Sequence, residues 1–288
     1  MDAVASISYG KDSLAMLHVI TDVLGWPLDR IITAEVWATD TISADLPDMV
    51  AFKDEADRII LGRWGIQVEH FTATNQDGSK KTYEQVFFRQ RTHSRAGANG
   101  AIYGWPFQRG PWCNSELKMV AIRAAHKSSD GCIQYIGIAA DEPFRVERHK
   151  DNKNVRMPLV EAGWTEAMCR AWCEENGLLA PVYQRGDRGG CWFCHNQPVD
   201  ELRALRKDYP ELWAKMLEWD VATMHVKGLK KEKITYRSDG RTIYDYERRF
   251  QLEDEGYKPM QSRFRWDDVE NAQMNIFQFL KGQADEPE

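Results

Sequence analysis

Apolar and polar positions along this chain follow two rhythms, one of short strand-like runs and one of helical spacing. Ala3-Val4-Ala5-Ser6-Ile7 is a short apolar run suited to a strand. Leu14 to Leu24 carries apolar residues at helical spacing and stops near Gly25-Trp26-Pro27. Ile31 to Trp37 reads as a second strand. Asp48 to Trp64 reads as a helix, with Met49, Phe52, Ala56, Ile59 and Ile60 on one face and Gly65 after its end. Gln67 to Thr72 is a third strand, and the near-continuous apolar run Cys132 to Ala139 predicts a buried fourth. Thr165 to Asn176 reads as a helix capped by Thr165 and ended at Gly177. Strands separated by helices predict an α/β fold, a doubly wound parallel sheet covered on both faces.

Two regions break the rhythm. Thr74 to Pro111 fits neither period and is rich in Gly, Arg, Gln and aromatic residues, among them Arg89, Arg91, Arg95, Gly97, Gly100, Tyr103 and Trp105. Such a stretch is either a functional loop or lid, or a surface insertion with a short helix around Tyr83 to Arg91. From Pro198 the character changes. Val199 to Met224 reads as helical throughout, Ile234 to Tyr246 as a hairpin around Ser238-Asp239-Gly240, and the tail beyond Gly282 as disordered. The pattern divides the chain into a larger domain, residues 1–197, and a mainly helical C-terminal extension, residues 198–288.

Composition narrows the class. The chain has 288 residues, 43% hydrophobic and 28% charged, and no apolar stretch of membrane-spanning length. Met1-Asp2 runs directly into the first strand with no room for a targeting segment, so a cytoplasmic protein without a membrane partner is expected. A net charge of −6 excludes the global basic field that drives non-specific nucleic-acid binding. Six cysteines in such a chain point to a metal, cluster or catalytic role for some of them rather than to a disulfide framework. The sequence does not specify the oligomeric state; a homo-oligomer and a larger assembly are both compatible with it.

The candidate chemistry begins at Ser8-Tyr9-Gly10-Lys11-Asp12-Ser13, between the first strand and the first helix. Backbone N–H groups in the first turn of a helix have no partners within it, so this order of elements builds an anion site. Ser8 and Ser13 add hydroxyl donors, Gly10 admits close approach of a phosphate, and Lys11 supplies charge. A Walker A loop needs a second glycine and a different spacing. The segment resembles instead the Ser-x-Gly-x-Asp-Ser loop of the PP-loop ATP pyrophosphatase superfamily, whose members hold the phosphates of ATP or of an adenylyl-sulfate.

Further pieces resemble the phosphoadenosine phosphosulfate reductase-like branch of that superfamily. Trp37-Ala38-Thr39-Asp40-Thr41-Ile42, followed by Leu46-Pro47-Asp48, is similar to its Asp-Thr-Gly…Phe-Pro-Glu-Thr stretch, with Ile42 in place of Gly. That places Asp40 and Thr41 beyond the end of the second strand, where ligands of parallel sheets bind. Gly137, Glu142 and Arg145 match its Gly-x-Arg-x-x-Glu-Ser-x-x-Arg element, while Ala139 and Pro143 replace the usual Arg and Ser. Arg145 can fork onto a phosphate or sulfate. The loss of a cation at Ala139 leaves the anionic substrate open, ATP or an adenylyl-sulfate, with Mg²⁺ as the companion of ATP.

Cys191-Trp192-Phe193-Cys194 is a C-x-x-C, and Cys113 stands far upstream in Pro111-Trp112-Cys113-Asn114-Ser115-Glu116-Leu117-Lys118. Thiolates two residues apart can share one metal or cluster, with a distant third ligand closing the site. The arrangement resembles adenylyl-sulfate reductases, where a Cys-Cys pair and a distant C-x-x-C hold a [4Fe-4S] cluster. Trp112 replaces one of those cysteines, which leaves three thiolates, as in the cluster-dependent thiolation enzymes of the superfamily. A structural zinc with His195 as fourth ligand, and plain reduced core cysteines, remain alternatives. Cys132, Cys169 and Cys173 read as core packing.

The resemblance, which extends to DNA-phosphorothioation sulfurtransferases, covers about Ser6 to Gln197. It implies an adenine nucleotide alpha hydrolase-like fold. Ser8, Gly10, Lys11, Asp12, Ser13, Asp40, Thr41 and Gly137 would hold the nucleotide, and Lys11, Asp12, Asp40 and Arg145 would serve catalysis. Cys113, Cys191 and Cys194 would bind the cluster. The implied activity is adenylation of an acceptor for sulfur transfer. Sulfonucleotide reduction is the alternative, but the reductases' C-terminal Glu-Cys-Gly-Leu-His motif is missing, since no cysteine follows Cys194. A non-catalytic nucleotide-binding regulatory subunit is a third reading. The sulfur donor and acceptor are open. Arg89, Arg91, Arg95 and Arg109, interleaved with Tyr103, Trp105 and Phe107, could hold a nucleic acid or line a small-molecule lid.

Overall fold

Five short segments pair into one sheet: β1 (Ala3–Ile7), β2 (Arg30–Glu35), β3 (Val68–Thr72), β4 (Ile133–Ile136) and β5 (Val155–Arg156). Their order is β3-β2-β1-β4-β5, and every pairing is parallel. The computed structural model describes residues 2–92, 100–106, 111–127, 131–184, 190–223, 235–237 and 240–256.

Strand alternation divides the side chains between two cores. Ala3, Ala5 and Ile7 pack with residues of α1 (Lys11–His18), α2 (Pro47–Trp64) and α7 (Glu166–Glu175). Val4 and Ile32 pack instead with Ala125 of α4 (Met119–Lys127). α2 starts with Pro47 in its first turn and ends at Gly65, whose φ of 69° is the left-handed conformation that closes a helix. α1 gives way after His18 to one wider turn over Val19–Val23, within the stretch read as a single helix.

The fourth strand is shorter than the apolar run predicted, because the chain leaves the sheet at Gly137. The sequence pattern did not foresee α4, β5, α5 (Pro143–Glu147) or α6 (Pro158–Glu161). Beyond residue 197 the reading needs two corrections. The expected continuous helix is two, α8 (Val199–Asp208) and α9 (Pro210–Thr223), because Pro210 holds Tyr209 out of helical geometry. Where the second strand of a hairpin was expected, α10 (Ile243–Asp254) begins instead, and ahead of it Arg237 N donates to Arg241 O at 3.1 Å. Thr242 and Asp245 cap α10 reciprocally, so its first residues cannot serve as a strand. Ser238, Asp239, Met224 and the tail lie outside the described residues.

A third core sits beyond the carboxyl ends of β2 and β3, where Ala38, Ala44 and Ala73 form its floor. It is dominated by aromatic side chains from α3 (Tyr83–Phe88), the segment around Trp105 and Trp112, the C-x-x-C loop and helices α8 to α10. Trp192 and Trp219 stack at 5.5 Å with planes 17° apart. Residues on both sides of position 197 therefore share one core.

Candidate functional site

The loop after β1 folds on itself before α1 begins. Ser8 N donates to Ser13 Oγ at 3.1 Å, and Ser13 Oγ donates to Gly10 O at 2.9 Å. Lys11 N donates to the Tyr183 hydroxyl at 3.1 Å. Tyr9, at φ 56°, is the one non-glycine residue of the described chain in left-handed backbone, and its hydroxyl donates to Asp57 at 2.6 Å. His70 joins the same group, bonding Asp57 at 2.8 Å and Glu35 at 2.7 Å. Those bonds, Asp57 first, raise the His70 pKa to about 9.

Gly137 explains how the β4 loop reaches this turn. A Cβ there would lie 2.9 Å from Ser13 Cα and 3.1 Å from Asp12 C, so only glycine permits the approach. Further along, Glu142 accepts from Ala139 N at 3.2 Å and from Arg145 at 2.7 Å. Arg145 thus stands exposed beside the loop, bound to a carboxylate.

Lys11 does not project freely over the loop. Its Nζ lies 3.0 Å from Asp12 and 2.6 Å from Glu166 at the start of α7. Burial works against its charge, but the two carboxylates outweigh it and raise its pKa. Asp12 is pushed up by burial, with Lys11 opposing. Cys173 Sγ donates to Lys11 O at 3.3 Å, and Cys169 and Cys173 are fully buried beneath the turn. Cys132 is buried as well, against α4.

Asp40 and Thr41 occupy a different place. Trp37 and Ser43 pair across a tight turn that carries both residues, exposed, at its tip. Lys80 donates to Asp40 O at 3.2 Å and lies over the Trp37 ring. Among the described residues, no hydrogen bond or ion pair joins Asp40 or Thr41 to the Ser8–Ser13 loop.

The three cysteines do come together. Cys113, Cys191 and Cys194 all line one cavity of about 490 Å³ at the edge of the aromatic core. Burial pushes the Cys113 thiol up to about 11 and the Cys191 thiol up to about 12, while Lys118 pulls both the other way. Three further wall residues carry buried polar atoms without any partner: Tyr83 Oη, His195 Nε2 and Gln197 Oε1. Burial, and then Arg237, lowers the His195 pKa. Among the described residues, no three His, Cys, Asp or Glu side chains converge on a single ion.

Lys118 is the residue that sequence reasoning passed over. It ends the wide turn Asn114–Lys118 that follows Cys113, and it lines the thiol cavity. It also lines a second pocket, about 170 Å³, with Ser6, Ile7 and Ser8 from the end of β1 and Thr33 and Ala34 from β2. Its position five residues after Cys113, on the same turn, was the available signal. The arginine-aromatic region turned inward instead. Arg89 pairs with Glu116 at 3.1 Å, Arg91 donates to Tyr103 O at 3.0 Å, and buried Trp105 donates to Asp220 at 2.8 Å. Arg95, Phe107 and Arg109 lie outside the described residues.

No family model matches the chain, and no solved structure does. Among curated proteins, an uncharacterized protein of Methanocaldococcus jannaschii is 24% identical over 125 residues. That match covers 39% of this chain and 26% of the relative, so the chain spans about a quarter of that protein's length. No helix among the described residues is long and apolar enough to cross a membrane.

Proposed function

We propose that this chain is a PP-loop enzyme that binds ATP and adenylates an acceptor for sulfur transfer, using a [4Fe-4S] cluster on Cys113, Cys191 and Cys194. The observation that carries the reading is Lys118, one cation shared by the thiol cavity and the pocket at Ser8. The fold is then the doubly wound, adenine nucleotide alpha hydrolase-like arrangement, with the nucleotide at the switch between β1 and β4. Six thiols free of disulfides suit a reducing compartment such as the cytoplasm.

In this reading the first turn of α1 receives phosphate oxygens on its backbone N–H groups, aided by Ser8, Gly10 and Ser13. Gly137 keeps β4 close enough to wall the site. Lys118 faces the α-phosphate, and Lys11 reaches phosphate by exchanging Glu166 for it. Asp12 is placed for Mg²⁺, and Arg145 leaves Glu142 to pair with an anion. Asp40 and Thr41 close on the nucleotide only if their turn moves. An acceptor oxygen attacks the α-phosphorus, the bond to pyrophosphate breaks, and the acceptor becomes an adenylate whose oxygen leaves as AMP before a sulfur nucleophile.

The donor set at the cavity fits the cluster. Three thiols line one cavity, and its wall holds buried polar atoms without partners. A cluster bound there supplies an open iron able to carry sulfide. A sulfonucleotide reductase lacks support here, because no cysteine follows Cys194. Anaerobic purification with iron and sulfide analysis tests the reading, together with pyrophosphate release from ATP. About four irons and four sulfides, lost on Cys113→Ser, Cys191→Ser or Cys194→Ser, are expected. Zinc, or no metal, would refute the cluster and leave nucleotide hydrolysis or binding.

A further inference from the structure

Tyr183 belongs to the short turn Pro181–Gln184, far along the chain from the Ser8–Ser13 loop, yet its hydroxyl sits at the start of α1. The turn is fixed at its base, where Tyr183 N donates to Ala180 O at 3.1 Å. Lys11 N then donates to the phenol oxygen at 3.1 Å. That N–H opens the helix and belongs to the first-turn donors a helix cannot satisfy within itself.

Gly10 shows that the seat is shaped for this group. Its φ of −80° and ψ of 156° are open to any residue, so the backbone does not call for glycine. Space does. A Cβ at position 10 would lie 3.1 Å from the Tyr183 hydroxyl, a tight contact, while the next atom it meets, Ser8 Oγ, stands at an ordinary 3.7 Å. The absent side chain clears room for the phenol.

The hydroxyl is engaged on one side only. Its oxygen accepts from Lys11 N, and among the described residues its proton is donated to no partner. Neighbouring hydroxyls have spent theirs: Ser13 donates to Gly10 O and Tyr9 to Asp57. Burial is the largest influence on the phenol and raises its pKa, which keeps the proton on oxygen. An O–H whose oxygen already accepts a hydrogen bond is polarised into a better donor. Phenylalanine would fill the same ring space, so packing leaves the oxygen unexplained.

We propose that the Tyr183 hydroxyl is a phosphate-binding group of the Ser8–Ser13 site, its oxygen held by Lys11 N–H and its own proton donated to a phosphate oxygen. This rests on the nucleotide reading of that loop given above. Tyr183 thereby carries the donor capacity of the helix start one atom further out, to an oxygen that the Lys11 N–H does not itself meet.

The test is calorimetric titration of the full chain with ATP and Mg²⁺ and, separately, with inorganic pyrophosphate, circular dichroism serving to check the fold. Tyr183→Phe keeps the ring and should bind both ligands about tenfold more weakly with an unchanged spectrum. Gly10→Ala, whose Cβ displaces the hydroxyl, should weaken binding in the wild-type background and add little in Tyr183→Phe, where no oxygen meets the new methyl. Unchanged affinity in Tyr183→Phe overturns the assignment and leaves the nucleotide reading standing. Tighter binding overturns it as well, because the phenol is then a plug that phosphate must displace. If the wild-type chain binds pyrophosphate and not ATP, the nucleotide reading fails, while a tenfold loss for pyrophosphate in Tyr183→Phe still supports the phenol as a phosphate donor. A wild-type chain that binds neither overturns both.

Discussion

At the Ser8–Ser13 loop the charged side chains have found each other, whereas the cavity around the three thiols keeps three buried polar atoms without partners. Lys11 is held by Asp12 and Glu166, and Tyr9 by Asp57 beside His70 and Glu35. In the cavity Tyr83, His195 and Gln197 each end in an unbonded atom, surrounded by aromatic rings. The loop lies among half-exposed carboxylates, which can satisfy one another and exchange partners at small cost. The three unbonded atoms of the cavity have no such partners, and the Tyr83 ring is fixed by packing. A ligand at the loop must compete with existing ion pairs, while one in the cavity gains hydrogen bonds the protein does not make for itself.

The largest effect should come from breaking the aromatic core that backs the cavity. Trp219 is fully buried, stacks on Trp192 and donates to Glu84 at 2.9 Å. Trp219→Ala should cost about 3–5 kcal/mol in urea unfolding. Gly137→Ala probes the other region. Its Cβ would meet backbone atoms at 2.9 to 3.1 Å, so a loss of about 1–3 kcal/mol, with weaker ATP binding by calorimetry, is expected. If Gly137→Ala binds ATP normally, the β4 contact does not shape the nucleotide site.

Lys118→Met tests whether the two regions are coupled. Because Lys118 lines both pockets, the variant should bind ATP about tenfold more weakly, roughly 1.4 kcal/mol, and still assemble its iron. Unaltered ATP affinity would separate the regions. The smallest effect concerns pH. His70 is raised from 6.5 to about 9, so its contribution is fully present below pH 6.5 and is lost as pH rises through about 9. Because His70 is partly exposed, about 1 kcal/mol is expected. Wild type should lose that much between pH 6 and pH 9.5 in urea titrations, while His70→Gln, lacking the charge, should show a flatter profile.

The sheet was largely legible, since β1 to β4 each read as a strand and the helical spacing of α1 and α2 shows in the sequence, whereas α4 was not foreseen. β5 was not, because two residues, Val155 and Arg156, carry no period. Pro210 announced the break between α8 and α9, yet the Leu- and Trp-rich pattern on either side overrode it. Thr242 and Asp245 likewise spelled a capping box, masked by the turn signal at Ser238-Asp239-Gly240. At the site, the cysteines stood out by type and spacing. Their meeting with Tyr83 did not, because it depends on contacts between distant segments. The Arg89 and Arg91 cluster read as a binding surface from composition alone; Glu116 and Tyr103, which engage it, lie too far along the chain for local pattern to reveal.

One consequence concerns proteolysis. The aromatic core draws Trp192 and Phe193 from one side of position 197 and Trp213, Trp219 and Phe250 from the other. A chain cut after Gln197 would be stripped of the indole that covers Tyr83 and of the helices that enclose Trp192. Its newly bared rings would seek one another between molecules. Truncation to residues 1–197 should therefore yield an insoluble fragment, and a protease that nicks this junction would act as an inactivation switch for the thiol cavity rather than a trimmer of a spare tail.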